Sequence, residues 1–328
     1  MRTLAALCLA LACLGAAAAG AAPVAFARPG WAIGGLFPAE PRRDEFRAPT
    51  PQGEVISERF FVEDAGEAFL LVRSTYPVAF DRASRPGLFE QVKREAIAAR
   101  PGDFVVDEPF TLGGYEGRRF VIEHRRAKRT KELRVVVVGG TLYAGSYERA
   151  AGRPASARAA SFLDGLEVQP AFADFRAMEE AGRWREVTEG RFKVRYDATR
   201  WYRDPTDREP GVANFLRLDK RGEAQLIAEP VPHEGGSLEE VALAAAKESA
   251  ESVQVRRRGT KRRGDLNVGE LEFAVRFDGA TYVNLGYFYN GAEGAVQFRA
   301  WALESDYRGV AGDLAELLDG LALTVPSR

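Results

Sequence analysis

Polar and apolar positions alternate with two different periods along this chain, and the same succession of periods occurs twice. Leu271, Phe273, Val275 and Phe277 alternate with Glu272, Ala274 and Arg276, the two-residue repeat of a half-buried strand. Gly117 to Glu123 is predicted as the matching strand of the first half. Each of these precedes a hairpin. Leu133 to Val138 and Thr141 to Tyr147 flank Gly139-Gly140, whose residues accept positive φ. Thr281 to Tyr289 and Ala295 to Leu303 flank Asn290-Gly291-Ala292-Glu293-Gly294. Earlier strands are predicted at 31–37, 54–62 and 68–75, and again at 191–197, 212–218 and 223–228.

Helical periodicity separates these strands. Ser237-Leu238-Glu239-Glu240 reads as a capping box, followed by an apolar stripe of Leu238, Val241, Ala242, Ala245 and Val253. Its counterpart runs from Pro86 to Ala98, with Leu88, Phe89, Val92 and Ala96 inward. A second helix closes each half with a shared ending, Phe162-Leu163-Asp164-Gly165-Leu166 and Leu317-Leu318-Asp319-Gly320-Leu321. Its glycine is expected to be a left-handed C-terminal residue. Tyr307, Val310, Ala311, Leu314, Leu317, Leu318 and Leu321 form the stripe in the second copy, and Ala155, Ala159, Phe162, Leu163 and Leu166 a weaker one in the first. Both halves thus read β-β-β-α-β-β-β-α. Hairpin connections predict an α+β fold of two tandem domains, each a mainly antiparallel sheet covered by helices. The domains are placed at 28–169 and 184–328, joined by a short helical linker at 170–183.

The first 27 residues break this pattern. Arg2 precedes an uncharged run from Leu4 to Ala22, and Ala25-Phe26-Ala27 offers a small-residue cleavage site, with alternatives around Gly20 to Ala22. This is the form of a secretory signal peptide, and the expected location is periplasmic or secreted. The alternatives are an uncleaved anchor and a lipoprotein modified at Cys13. Cys8 and Cys13 are the chain's two cysteines, so removing the leader leaves a mature protein without thiol chemistry. The 46 basic and 47 acidic residues nearly cancel, which argues against a global attraction to nucleic acid or membrane.

The order of elements, with Trp31 to Pro41, Gly117 to Phe120, Leu142-Tyr143 and the Phe162 to Val168 ending in one half, resembles the PsbP/Mog-like superfamily and its DcrB-like envelope proteins. Gly190 to Trp201, the helix after Ser237, Tyr287-Phe288-Tyr289 and the Leu317 to Leu323 ending carry the same resemblance in the other half. It implies an α/β/α sandwich in each domain and a binding or assembly role, and it supplies no catalytic residues.

Catalytic signatures are sparse. His124 and His233 are the two histidines, and neither lies in a triad, metalloprotease or nucleotide-binding pattern. Asp204, Asp207 and Glu209 share a loop and read as solvated turn residues rather than as a calcium cage. The chain is therefore expected to be no enzyme, with no catalytic residue, no metal and no cofactor. The sharpest candidate site is basic: Arg256, Arg257, Arg258, Lys261, Arg262 and Arg263, which suit a phosphate or carboxylate or else a charged sheet edge. A smaller run, Arg125, Arg126, Lys128, Arg129 and Lys131, reads as a solvated turn. Tyr287 and Tyr289 share a strand face and are a candidate contact patch, with core packing the alternative that aromatic strand residues favour. The function read from the sequence is an exported binding or scaffold protein of the bacterial envelope, its partner another envelope protein. The alternatives are an anionic-lipid or polyanion binder through 256–263 and a hydrolase using either histidine.

Overall fold

The computed structural model describes residues 22–98 and 100–324. Residues 1–21, which hold Cys8, Cys13 and most of the expected signal peptide, lie outside them. The chain divides after Arg183 into two compact units. The first runs β1 (Val24–Phe26), β2 (Ile33–Phe37), β3 (Arg42–Thr50), β4 (Gly53–Asp64), β5 (Glu67–Thr75), α1 (Arg85–Ala98), β6 (Asp103–Leu112), β7 (Tyr115–His124), β8 (Arg129–Val138), β9 (Thr141–Ala150), α2 (Ala157–Asp164), β10 (Glu167–Val168) and α3 (Phe175–Arg183). The second runs β11 (Trp184–Glu189), β12 (Phe192–Asp197), β13 (Trp201–Arg203), β14 (Val212–Arg217), β15 (Glu223–Glu229), α4 (Leu238–Ser249), β16 (Ser252–Arg263), β17 (Leu266–Phe277), β18 (Ala280–Gly291), β19 (Gly294–Leu303), α5 (Glu304–Asp319) and β20 (Leu321–Leu323).

Both units have one topology. The large sheets are ordered β3-β4-β5-β9-β8-β7-β6 and β13-β14-β15-β19-β18-β17-β16, and the small ones β1-β2-β10 and β11-β12-β20. Every strand of the second unit takes the place of the strand numbered ten lower in the first. All pairings are antiparallel. The edge strands match in detail. Each carries a bulge at the same distance from its turn, between Phe104 and Val106 in β6 and between Val255 and Arg257 in β16.

In the first unit α1 lays Leu88, Phe89 and Val92 on one sheet face, against Val72, Leu133, Val135 and Ala144. The opposite face packs against α2 and the small sheet through Phe26, Trp31, Phe37, Phe69, Tyr147 and Phe162. That layer is sheet as well as helix, so it departs from a plain α/β/α sandwich. In the second unit α4 covers Leu271, Phe273 and Phe288, and α5 lies against β12, β18 and β19.

Several expectations are corrected here. Val24–Phe26 was assigned to the leader but pairs with β2, and Phe26 is buried among Trp31, Phe37 and Phe60. The linker belongs to the first unit: Phe175 packs on Tyr115 at 5.1 Å, and the Tyr115 hydroxyl donates to the Phe172 carbonyl at 2.6 Å. The capping box is half formed. Ser237 Oγ accepts from the Glu240 N–H at 3.2 Å, while the Glu240 carboxylate accepts from Arg258 at 2.5 Å instead of turning back. Gly165 and Gly320 are right-handed, with φ of −82° and −74°. They are glycine for space: a Cβ would stand 2.3 Å from Ser161 O at one and 1.9 Å from Arg195 O at the other. The Gly139-Gly140 hairpin does have positive φ at both residues, +54° and +77°.

Candidate functional site

The central strands of the two large sheets differ in what covers them. In β9 every residue from Leu142 to Tyr147 is buried, so both faces of the first sheet are packed. In its counterpart β19, Val296, Phe298, Ala300 and Ala302 are buried while Gln297, Arg299, Trp301 and Leu303 are not. The same alternation runs through β14 and β15, where Asn214, Leu216, Gln225 and Ile227 are half-buried. Side chains of one parity share a face, and this parity is that of Ala295, which touches the α4 cluster. The second sheet therefore leaves much of its α4 side open. Leu303 is 39% and Phe277 53% exposed on that side.

A polar line crosses this open face. Asn214 donates to Asp207 at 2.6 Å, and Gln225 donates to Asn214 Oδ1 at 3.1 Å. The Arg299 guanidinium reaches Gln225 Oε1 at 3.5 Å, and its Nε has no hydrogen-bond partner among the described residues. Burial pushes the Arg299 pKa down. Asp207 is thereby a structural acceptor, as is Asp204, whose Oδ1 accepts from Thr206 N–H and hydroxyl at 2.8 and 2.7 Å. Among the described residues no cluster of His, Cys, Asp and Glu is set to hold a metal.

The basic segment occupies the edge strand β16, and its charges are largely matched by carboxylates of its own unit. Arg256 pairs with Glu304, Arg257 with Glu270 at 2.6 Å, Arg258 with Glu240 at 2.5 Å, and Arg263 with Asp319. Lys261 Nζ lies 3.0 Å from Asp319 and donates to the Tyr287 hydroxyl at 2.8 Å. Arg262 Nε donates to the Gly264 carbonyl at 3.2 Å. The strand is a charged edge of the kind that discourages strand addition, and an anion would have to compete with internal acids.

Tyr287 and Tyr289 do not form a contact patch. Tyr287 is 1% exposed, and its hydroxyl donates to Asp319 at 2.6 Å. Burial first, then Asp319, raises its pKa. Tyr289 is half-buried, and its hydroxyl donates to Glu293. Desolvation lowers the Lys261 pKa, but its bonds to Tyr287 and Asp319 outweigh this and raise it overall. Counting from the edge turns, Lys261 takes the place of Phe110, and Tyr287 that of Arg134. Arg134 lies over the Phe110 ring at 5.5 Å and donates to Asp164 at 2.7 Å, while Lys261 lies over Tyr287 at 5.3 Å. Each copy joins a cation, an aromatic ring and the aspartate of the shared ending, with the two ring-and-cation positions exchanged. This cluster ties the last turn of α2 or α5 to the sheet.

The histidines sit apart from such chemistry. His124 is buried, with Nδ1 3.3 Å from the Pro101 carbonyl. His233 Nδ1 is 3.7 Å from Glu229, and its backbone N–H donates to Asn290.

The sequence reading missed Lys131. It was counted with a solvated basic turn, yet it is 5% exposed and lies on the α1 side of the first sheet. The signal was parity: Leu133, Val135 and Val137, at alternate positions from it, all face α1. It borders a cavity of about 20 Å³ under α1, lined also by Leu70, Val72, Val92, Leu133, Leu142 and Ser146. Burial lowers its pKa to about 8. Glu148, its neighbour across β9, is engaged by Arg100 at 2.7 Å and Arg129 at 2.9 Å.

No protein-family model matches this chain, and no curated protein matches it. Among solved structures it is similar to cyanobacterial PsbP from Synechocystis sp. PCC 6803, at 12% identity and a TM-score of 0.35, over 43% of this chain and 93% of that one. It is also similar to the T6SS immunity protein TplEi from Pseudomonas aeruginosa, at 10% identity and a TM-score of 0.27, over 85% and 97% of the two chains. The Pseudomonas aeruginosa MucA/MucB complex gives 11% identity and a TM-score of 0.18, over 87% of this chain and 89% of that one.

Proposed function

We propose that this chain is a non-catalytic, exported partner-binding protein of the bacterial envelope, built as tandem PsbP/Mog-like modules. The observation that carries the reading is the open α4 side of the second sheet. The first unit buries the corresponding face under α1, so the shared topology allows that face to be closed, and the second copy leaves it half exposed. The surface mixes Trp301, Leu303 and Phe277 with Gln225, Asn214 and Arg299, an aromatic and apolar body around a few polar groups. That composition, rich in aromatic residues and arginine, suits a protein interface. Its area would be contributed by rigid strands, so binding would order little of this chain.

The test is affinity capture from an envelope fraction with the wild-type chain and with Trp301→Asp and Phe277→Asp variants. Phe277 is 53% exposed, whereas Trp301 is half-buried in a central strand, so far-UV circular dichroism and thermal unfolding first establish that each variant is folded. A defined partner retained by the wild type and lost by both variants is expected. Capture that survives both substitutions, or a blank under native conditions, counts against the reading.

A further inference from the structure

A second site lies in the other unit, on a surface the partner reading does not use. Strand parity turns Lys131 inward beside Leu133 and Val135. Of the two cationic side chains buried in the described residues, Arg85 pairs with Glu179, whereas the Lys131 ammonium has no ion pair or hydrogen bond there. The carboxylate opposite it, Glu148, is drawn away by Arg100 and Arg129. Around the amine the cavity wall is hydrocarbon from Leu70, Val72, Val92 and Leu142, with Ser74 and Ser146 as its other polar groups. The Ser74 hydroxyl is already committed to Ser57 at 2.8 Å.

We propose that this cavity binds a small alkyl carboxylate, its head on the Lys131 ammonium and its hydrocarbon against Val72, Val92 and Leu142. A buried, unpaired ammonium is stabilised most by a single negative charge brought into contact with it. One cation suits a monoanion; a phosphate dianion would need more donors than the wall provides. The apolar lining then selects a ligand whose remainder is hydrocarbon. At rest the cavity has room for about one water, so the tail enters by displacing the last turns of α1. Over the cavity that helix presents Val92 and the small Ala96, with Ile97 packed on the same core. The amine's lowered pKa fits a cation that lacks a partner. The site belongs to the first copy: by strand register Asn284 takes the place of Lys131, and Arg299 that of Ser146.

The experiment is calorimetric titration of the full chain with hexanoate and, separately, hexanol at pH 7, using the wild type, Lys131→Met and Ala96→Leu. Saturable one-to-one binding of hexanoate to the wild type is expected, at least tenfold weaker for hexanol. Lys131→Met, which removes a buried charge and still folds, should weaken hexanoate at least tenfold. Ala96→Leu, which fills the cavity and keeps the amine, should weaken both probes. The proposal is overturned if hexanoate does not bind, if hexanol binds as tightly, or if Lys131→Met binds hexanoate as the wild type does.

Discussion

Lys131 shows how an environment is set by strand parity and not by neighbours in sequence. It ends a run of cations, and its neighbours Lys128 and Arg126 are exposed, yet the alternation of β8 drives it under α1. Its energetic signature follows from its pKa, lowered by burial to about 8 from 10.5, with Glu148 opposing the shift and Arg100 adding to it. The folded state binds this proton less tightly than the unfolded chain. Below pH 8 the buried charge therefore opposes folding, and stability rises with pH from about 8 to 10.5. Lys131→Met should raise stability at pH 7 by about 2–3 kcal/mol. Its advantage should shrink as pH rises through that window. Urea unfolding of both proteins at pH 7 and pH 10 measures this, and an advantage that does not change with pH would contradict the assignment. Tyr287 followed the same rule: its partner Asp319 lies far along the chain, so sequence periodicity gave a face and no contacts.

At the scale of elements, strands with apolar alternation were readable and edge strands were not. β3 reads RRDEFRAPT, with a single buried residue, and β6 carries Pro109 and three acids. Edge strands face water along one side and need little hydrophobic surface, so the cue used for β7, β17 and β19 was missing. The repeated endings were visible, but their purpose was not, because it depends on an aspartate meeting a ring and a cation on other strands. Those two clusters should differ in weight. Asp319 is one-third exposed and meets Tyr287, Lys261 and Arg263, whereas Asp164 is 67% exposed and pairs with Arg134. Asp319→Asn should destabilise by about 1–3 kcal/mol, and Asp164→Asn by about 0–1 kcal/mol. Thermal or urea unfolding of the two variants compares them, and equal losses would refute the ranking.

For the whole molecule, one topology written twice has been finished in two ways. The first unit is closed on both faces of its large sheet and uses α3 as part of its core; the second leaves part of its α4 side half-buried. β1 also bears on the proposed export of the chain. A cut after Ala27 would remove a strand whose Phe26 packs at 4.8 Å on Phe60 and 5.3 Å on Trp31. If the N-terminal segment is a signal peptide, as proposed, cleavage is expected before Val24, near Gly20 to Ala22. Intact-mass measurement of the exported protein checks this, and a chain beginning at Arg28 would contradict it.

Period and order alone determined that there are two copies, that their connections are hairpins, and which helix faces are apolar, because these depend on residues close in sequence. The matching cation–ring–aspartate clusters, the neutralised arginines of β16, the open face of β14, β15 and β19 and the buried amine of Lys131 were decided only in three dimensions. Each depends on which strand lies beside which and on what covers the sheet, and such distances come from packing across long stretches of chain.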